Sequence, residues 1–163
     1  MTRPLTPEEL CSLIDDHFST LVLFARQWSP NDADDLVQDA FLQLVKRSPS
    51  QGKPEQPVAW LFQTVRNAAI DNHRKAERRQ KHETAAARSV WFETPPDTAV
   101  DSDEMTAMLD SLTSEQREIV VARIWGGLTF DEIAELTKTS RTTVFRYYNE
   151  ALEMMRRKHR HQK

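Results

Sequence analysis

Apolar side chains recur at helical spacing through most of residues 6–82. The pattern predicts a first helix that is capped by Thr6 and continues to about Trp28. A second helix is predicted from about Asp32 to Arg47, and its buried stripe consists of Leu36, Val37, Ala40, Phe41, Leu44 and Val45. Because no stretch of the chain alternates in the manner of a strand, the pattern favours an all-α fold.

A loop and two further helices are predicted to complete the first domain. Ser48 to Pro57 holds three prolines and a glycine, which is typical of a loop. A third helix is predicted from Pro57, and a fourth contains a basic run that ends near Lys81. Asparagine is a weak helix former that tolerates left-handed geometry, so we expect Asn67 to mark a break between these two helices. The first domain, residues 6–82, is therefore predicted to have four helices.

A change in composition separates this domain from a second one. Residues 83–103 are acidic, contain two consecutive prolines and lack apolar periodicity, which predicts a flexible linker. The second predicted domain covers residues 104–160. Its first helix carries methionine and leucine at helical spacing. Its next helix is predicted to be capped by Ser114 and to end at Gly126-Gly127.

Two short helices with a tight turn between them are predicted after the glycine pair. Thr129 caps the first, and Glu132 three residues later completes a capping box. Lys138 and Thr139 form the turn, and Ser140 caps the second helix. The pattern is typical of a helix-turn-helix whose second helix enters a DNA major groove, although an ordinary helical hairpin has the same pattern. The outward face of this second helix carries Arg141, Thr142, Thr143, Phe145, Arg146 and Asn149.

Composition limits the classes of protein to consider. The 163 residues suffice for one ordinary domain or two small ones. No apolar run is long enough to span a bilayer, and the first residues lack the apolar core of a signal peptide. The lone Cys11 excludes an internal disulfide and a cysteine-based zinc site. We therefore expect a cytoplasmic protein that needs no metal or other cofactor.

Charge is strongly segregated along the chain, although the net charge is only −3. Residues 1–45 and 93–118 are acidic, whereas residues 66–82 and 138–163 are basic. Solvated charged faces are common on any protein, so this distribution only supports an interpretation that has other grounds. It is compatible with two contacts to nucleic acid, with the acidic faces left for another partner.

The order of these segments resembles that of bacterial sigma-70-type factors of the small extracytoplasmic-function (ECF) group. Residues 33–44, with the sequence ADDLVQDAFLQL, look like the region that docks on the clamp of core RNA polymerase. Residues 59–71 and the basic run after them look like the part that melts and reads the −10 promoter element. Residues 112–156 look like the domain that reads the −35 element. Each match is moderately specific alone, and their order makes the set highly specific.

The resemblance implies roles for particular residues in the first domain. The side chains implied to contact the basic clamp of the polymerase are Asp35, Gln38, Asp39 and Leu42. Asn67 falls where the family holds a flipped −10 base, and its amide can both donate to and accept from a base edge. The cationic side chains implied to neutralise phosphates near the melted junction are Arg66, Arg74, Lys75, Arg78 and Arg79.

In the second domain the resemblance implies contacts to the −35 duplex. Arg123 lies where the family contacts a backbone phosphate, and the outward face defined above would read base edges. Three positions depart from the common family pattern. Lys138 and Thr139 replace a glycine and an apolar residue in the turn, and Glu150 replaces a residue that is often basic. The −35 sequence recognised by another member therefore cannot be assigned to this chain.

Two other classes of protein compete with this interpretation. A stand-alone helix-turn-helix regulator would share the second half of the chain, but it would need a sensing domain where we identify a docking helix. An enzyme would need a catalytic or metal-binding set, and the spacings of Asp71 with His73 and of His82 with Glu83 match no ligand pattern. We therefore expect a non-enzymatic sigma factor that binds core RNA polymerase and promoter DNA. By resemblance, an anti-sigma factor is a further expected partner.

Overall fold

The computed structural model describes residues 3–80 and 102–161. The chain divides into two compact units, Met1–Trp91 and Phe92–Lys163. Within the described residues all regular structure is helical, which confirms the all-α prediction. The elements in chain order are α1 Pro7–Ala25, α2 Ala33–Gln51, α3 Pro57–Gln80, α4 Ser102–Asp110, α5 Ser114–Val120, a π turn Val121–Trp125, α6 Phe130–Thr137 and α7 Arg141–His161.

The first unit is a bundle in which α1, α2 and α3 all pack on one another. Its core consists of fully buried side chains from all three helices: Leu21, Phe24, Val37, Leu44, Leu61, Phe62 and Val65. The ring of Phe24 lies edge-on to Phe62, with 4.9 Å between the ring centroids. Burying such side chains stabilises each helix on its apolar face and leaves the opposite faces of α2 and α3 in solvent.

The start of α1 is fixed by local polar contacts. Thr6 and Glu9 form the predicted capping box. The Glu9 carboxylate also binds Arg3 and the Lys53 Nζ, which is 2.8 Å from Glu9 Oε1. Hydrogen bonds from Arg3 and then Lys53 lower the pKa of Glu9 to about 2. The cluster connects the start of α1 to the segment that precedes α3.

Residues 3–80 of the first unit form three helices, whereas four were predicted for residues 6–82. α3 is continuous from Pro57 to Gln80, so the predicted break at Asn67 is wrong. Asn67 is exposed, and its Oδ1 accepts a hydrogen bond from Gln63 Nε2 at 3.0 Å, one helical turn earlier. The side chain therefore does not compete with the backbone for hydrogen bonds. Burial of Leu61, Val65 and Ala69 on the opposite face stabilises the helix on both sides of Asn67.

The loop after α2 is also shorter than predicted. α2 continues through Pro49 to Gln51, and Gly52 follows with a φ of +73°. A proline near the end of a helix removes one backbone hydrogen bond and keeps a helical φ, so it need not end the helix. The left-handed backbone that ends α2 falls on the glycine.

A polar network joins the α1–α2 connection to the middle of α3. Ser29 is buried, and its hydroxyl donates to the Ala69 carbonyl at 3.0 Å. Asn72 Nδ2 donates to Ser29 Oγ at 3.1 Å and to Asp32 Oδ2 at 2.9 Å. Because a buried polar group without a partner is costly, this network fixes the start of α2 relative to α3.

The second unit packs α4, α5 and α6 against the long helix α7. Its core consists of Leu109, Ile119, Val120, Leu128, Ile133, Val144 and Ala151. Thr113, and not the predicted Ser114, is the N-cap of α5, because its hydroxyl accepts from the Gln116 amide and forms a capping box. The one helix predicted here is divided into α5 and the π turn, and the glycine pair follows the π turn, with a φ of +69° at Gly127.

The predicted helix-turn-helix is present as α6 and α7. Thr129 and Glu132 form the predicted capping box, and the Ser140 hydroxyl accepts from the Thr143 amide at 3.2 Å at the start of α7. Lys138 follows α6 with a φ of 56°, and the Thr139 amide donates back to the Ala134 carbonyl at 3.1 Å. A left-handed residue followed by such a hydrogen bond is typical of the turn that ends a helix, where glycine is the usual residue.

The predicted linker, residues 83–103, falls almost entirely outside the described residues. Its last two residues belong to α4, which begins at Ser102 and so before the predicted start at residue 104. The other boundaries of the two predicted domains stay predictions.

Candidate functional site

An exposed stripe runs along α2 on the side opposite its buried residues. It contains all four side chains that the sequence assigns to polymerase binding: Asp35, Gln38, Asp39 and Leu42. Leu42 is 53% exposed. Val45, one turn further on, is 42% exposed, so its predicted place in the buried stripe of this helix is wrong. The stripe is therefore acidic at its N-terminal end and apolar further along, which suits a partner helix with basic and apolar side chains.

The exposed side of α3 brings together most of the residues assigned to the −10 element. Asn67, Arg74 and Arg78 follow one another at spacings of seven and four residues, so they share one face of the helix. Lys75 and Arg79 lie beside that face and are also exposed. All residues from Arg74 to the end of α3 are exposed, so the basic end of the helix is fully accessible.

Arg66 lies apart from this cationic group. It is half-buried, and its guanidinium carbon is 5.8 Å from the centre of the Trp28 ring. Trp28 in turn packs edge-on against Phe24 in the core. The arginine is thus held at the edge of the exposed face by an aromatic side chain that follows α1.

The N-terminal part of α7 presents the residues assigned to the −35 element. Arg141, Thr142, Phe145, Arg146 and Asn149 are exposed. The sixth residue, Thr143, is half-buried, and its Oγ1 accepts a hydrogen bond from Ser140 Oγ at 2.9 Å. We call the five exposed residues the reading face of α7. Thr143 contributes to the helix cap at its edge.

Arg123 lies in the π turn and is half-buried. Its Nη1 donates to the Leu128 carbonyl at 2.8 Å, and its guanidinium lies over the Phe130 ring, 4.5 Å from the ring centre. A guanidinium has five N–H donors. One of these donors is bound to the Leu128 carbonyl, and one face of the guanidinium lies on the Phe130 ring. These two contacts fix the orientation of the side chain.

Two neighbours of the reading face were not identified from the sequence. Phe130 packs against the exposed ring of Phe145, and the Asp131 carboxylate lies 3.7 Å from the Arg141 guanidinium. Both residues belong to the first turn of α6, so their contacts with α7 depend on the turn geometry. The only sequence signal was their position directly after the cap Thr129.

The described residues contain neither a membrane-spanning helix nor a cluster of metal-binding side chains. No described helix is long and apolar enough to cross a membrane. Within residues 3–80 and 102–161, no group of three or more His, Cys, Asp or Glu side chains is arranged to hold a metal ion. The exposed faces of α2, α3 and α7 remain the candidate functional surfaces.

Both halves of the chain match known protein families. Residues 13–79 match the family described as sigma-70 region 2, and residues 102–155 match sigma-70 region 4. These matches contain α2 and most of α3 in the first unit, and α6 and the reading face of α7 in the second.

Two solved structures share the fold. The sigma factor RpoE from Bartonella quintana, solved with the anti-sigma factor NepR, has a TM-score of 0.73 at 21% identity, over 95% of this chain and 98% of that one. CnrH, solved with the cytosolic domain of CnrY, has a TM-score of 0.57 at 21% identity, over 92% and 86%.

Curated relatives extend the similarity over nearly the whole chain. The RNA polymerase sigma factor SigV of Bacillus subtilis is 30% identical over 158 residues, which cover 94% of this chain and 93% of that protein. The ECF RNA polymerase sigma factor SigK of Mycobacterium ulcerans is 24% identical over 131 residues, covering 76% and 70%. The sequence, the two family matches and these relatives agree: the chain belongs to the sigma-70 family and is an RNA polymerase sigma factor of the ECF group.

Proposed function

We propose that this sigma factor docks on core RNA polymerase through the exposed stripe of α2 and selects promoters through α3 and α7. The observation that carries the proposal is the stripe itself. Asp35, Gln38, Asp39 and Leu42 are exposed on a helix whose opposite face is buried, in the unit that matches sigma-70 region 2. A stand-alone regulator with the same helix-turn-helix has no use for such a stripe.

Docking combines charge and apolar contact. The carboxylates of Asp35 and Asp39 attract a basic partner surface and orient it, which raises the rate of association. Leu42 and Val45 then offer apolar area that becomes buried in the complex. The buried residues of the same helix hold its backbone in place, so little backbone freedom is lost on binding.

The face of α3 is proposed to bind the −10 element once its strands begin to separate. Arg74, Lys75, Arg78 and Arg79 neutralise phosphates, which makes binding depend steeply on salt. Asn67 lies on the same side of the helix, and its exposed amide can hydrogen-bond to the edge of an unstacked base. Arg66, held against Trp28, contributes a further positive charge at the edge of the face.

The reading face of α7 is proposed to enter the major groove of the −35 element. Arg141 and Arg146 can donate to guanine edges, and the Phe145 ring can contact a thymine methyl group. Thr142 and Asn149 supply polar groups on the same side of the helix, with Thr143 at the cap. Arg123 is proposed to contact a backbone phosphate with N–H groups other than the one bound to Leu128.

These roles need no catalytic group in this chain, because bond formation belongs to the core polymerase. We place the protein in the cytoplasm for the same reason, since it acts on the polymerase and on chromosomal DNA. One similar structure contains a sigma factor in complex with an anti-sigma factor, and the other contains CnrH in complex with the cytosolic domain of CnrY. We propose that an anti-sigma factor binds this protein and holds it inactive.

Run-off transcription with purified bacterial core polymerase and a pool of promoter fragments tests the docking stripe. The wild type is compared with the variant Asp35→Lys/Asp39→Lys. The matched control is Asp15→Lys/Asp16→Lys, which makes the same change of charge at exposed positions of α1. We expect discrete start sites with the wild type and the control, and loss of transcription with the α2 variant. Loss in both variants, or in neither, would contradict the assignment of the stripe.

A further inference from the structure

Phe130 occupies a fixed position beside the reading face. It is the first residue of α6 and follows the N-cap Thr129. The capping box holds the backbone there: the Glu132 amide donates to Thr129 Oγ1 at 3.2 Å, and the Thr129 amide donates to Glu132 Oε2 at 3.0 Å. Leu128, two residues before Phe130, is buried in the core. The backbone at Phe130 is therefore held by the capping box and by the buried side chain of Leu128.

Three side chains surround the Phe130 ring. The Phe145 ring lies edge-on to it with centroids 5.5 Å apart, and the Tyr148 ring does so at 5.4 Å. The Arg123 guanidinium covers the ring at 4.5 Å and is itself held by the Leu128 carbonyl. Phe130 thus joins the π turn, α6 and α7 at one point. Such edge-on and cation–π contacts have preferred geometries, so they orient the rings as well as attracting them.

Phe145 is the one aromatic side chain among the five residues of the reading face. Its ring is 53% exposed although it is large and apolar, and it lies on the reading face between Arg141 and Arg146. An exposed aromatic side chain on a helix exchanges between rotamers, and fixing it during binding costs free energy. A rigid neighbour that already selects one orientation reduces that cost.

We propose that Phe130 is a positioning residue for −35 recognition, which acts by holding the Phe145 ring in the orientation that contacts a base. The inference rests on the proposed function, because it needs α7 to enter the −35 major groove. Phe130 itself need not touch DNA. The proposal predicts that specificity at one base step depends on a side chain that lies on a different helix from the reading face.

The experiment measures affinity of the reconstituted holoenzyme for a promoter fragment in which each thymine of the −35 element is replaced in turn by deoxyuridine. Deoxyuridine lacks only the 5-methyl group, so it isolates apolar contact with that group. The proteins compared are the wild type, Phe145→Leu, Phe130→Leu, the double variant and Phe130→Tyr, which keeps the ring. Tyr148→Leu is the matched control, since it removes a ring from the same cluster but not from the reading face.

We expect the wild type to lose about fourfold in affinity at one thymine, corresponding to burial of one methyl group. Phe145→Leu should abolish this sensitivity, and Phe130→Leu should reduce it. Any effect of Phe130→Leu through Arg123, which also contacts the Phe130 ring, should weaken binding to thymine and deoxyuridine promoters equally. The double variant should show no further loss of sensitivity to the methyl group beyond Phe145→Leu alone, because the two residues act on it through one contact. Phe130→Tyr should retain the sensitivity to the methyl group, and Tyr148→Leu should reduce it less than Phe130→Leu does, because the contact between Phe130 and Phe145 stays.

Other outcomes would overturn the inference. If Phe130→Leu weakened binding to thymine and deoxyuridine promoters equally, Phe130 would have a merely structural role. Strictly additive effects of the two single variants, or a wild type insensitive to every replacement, would also contradict it. Failure of the proposed function gives a different result, since the wild-type holoenzyme would then show no preference for promoter over random DNA.

Discussion

The two helices assigned to DNA binding, α3 and α7, present similar exposed arginines on very different supports. The basic end of α3, residues 74–80, is exposed on every side and is held only through the earlier, buried half of the helix. The reading face of α7 begins at the capped start of its helix, and Phe130 and Asp131 of α6 flank it. We call the end of α3 the bare surface, because its side chains are exposed, and the reading face of α7 the braced surface, because side chains of α6 flank it.

Under the proposed function, this difference corresponds to two kinds of recognition. Duplex DNA presents base edges at fixed positions, so side chains that are ordered before binding favour specificity at the −35 element. A melted −10 element has no fixed shape of its own. There, charge along an accessible helix attracts the strand, and a single polar group such as Asn67 can select an extruded base. The predictions below test this contrast, beginning with the largest expected effect.

The largest effect is expected from the bare end of α3. Replacing Arg74, Lys75, Arg78 and Arg79 by glutamine should weaken promoter binding by the holoenzyme on the order of a hundredfold near physiological salt. The slope of log affinity against log salt should become shallower by about 3, since each lost phosphate contact contributes roughly 0.7–0.9. Filter binding over a series of salt concentrations measures both quantities. Helix content should not change, because these side chains are exposed.

A pair of arginines elsewhere provides the control for this prediction. Arg156 and Arg160 lie four residues apart and exposed near the end of α7, as Arg74 and Arg78 do on α3. Changing Arg74 and Arg78 to glutamine should reduce the salt slope more than changing Arg156 and Arg160, which lie outside the reading face of α7. Equal effects of the two pairs would mean that general positive charge, and not the face of α3, determines binding.

The second prediction concerns the support of the buried half of α3. Ser29→Ala removes the hydroxyl that binds the Ala69 carbonyl and accepts from Asn72. We expect the first unit to lose about 1–2 kcal/mol in free energy of unfolding, because a buried carbonyl loses its side-chain partner. Hydrogen exchange of the full-length protein, followed by mass spectrometry, measures this loss in α1 and α3. Unchanged protection in both helices would show that the network does not anchor α3.

The third prediction separates the stability of the braced region from its function. Thr129→Ala and Thr113→Ala remove equivalent capping boxes of α6 and α5, and each should cost the second unit about 1 kcal/mol. Only the change at Thr129 releases the backbone next to Phe130. We therefore expect promoter affinity to fall with Thr129→Ala and to be nearly unchanged with Thr113→Ala. Equal losses of affinity would indicate that the braced geometry contributes nothing beyond stability.

The smallest effect is expected at the turn between α6 and α7. Lys138 has a φ of 56°, which a glycine adopts without the steric cost of a Cβ atom. Lys138→Gly should therefore raise the free energy of unfolding of the second unit by about 0.5–1 kcal/mol. Urea unfolding monitored by circular dichroism measures the change. A decrease in stability would show that the lysine side chain has a stabilising contact that outweighs the strain.

The sequence predicted those features that depend on neighbouring residues. The capping box of Thr129 and Glu132, the turn at Lys138 and the start of α7 at Ser140 were all confirmed, because each involves residues within four positions of one another. The exposed stripe of α2 and the exposed reading face of α7 likewise follow from helical spacing. The roles of these residues were carried by resemblance and stay predictions.

The features that were missed depend on residues far apart in the chain or on competing local effects. Asn67 did not break α3, because burial of Val65 and Ala69 outweighs its weak helix propensity. Pro49 did not end α2, because a proline near the end of a helix keeps a helical φ and removes only one backbone hydrogen bond, and Gly52 ends the helix instead. The contact of Phe130 with Phe145 joins two helices across a turn, so no periodicity within one helix could predict it.

The central claim is that one chain reads two promoter elements through two different surfaces. Transcription from a pool of random promoter fragments, with core polymerase and this protein, tests it directly when the fragments that yield transcripts are sequenced. We predict two conserved blocks at a fixed spacing. Arg146→Ala should alter only the upstream block, and Asn67→Ala only the downstream block. A single conserved block, or the same block altered by both variants, would contradict the account.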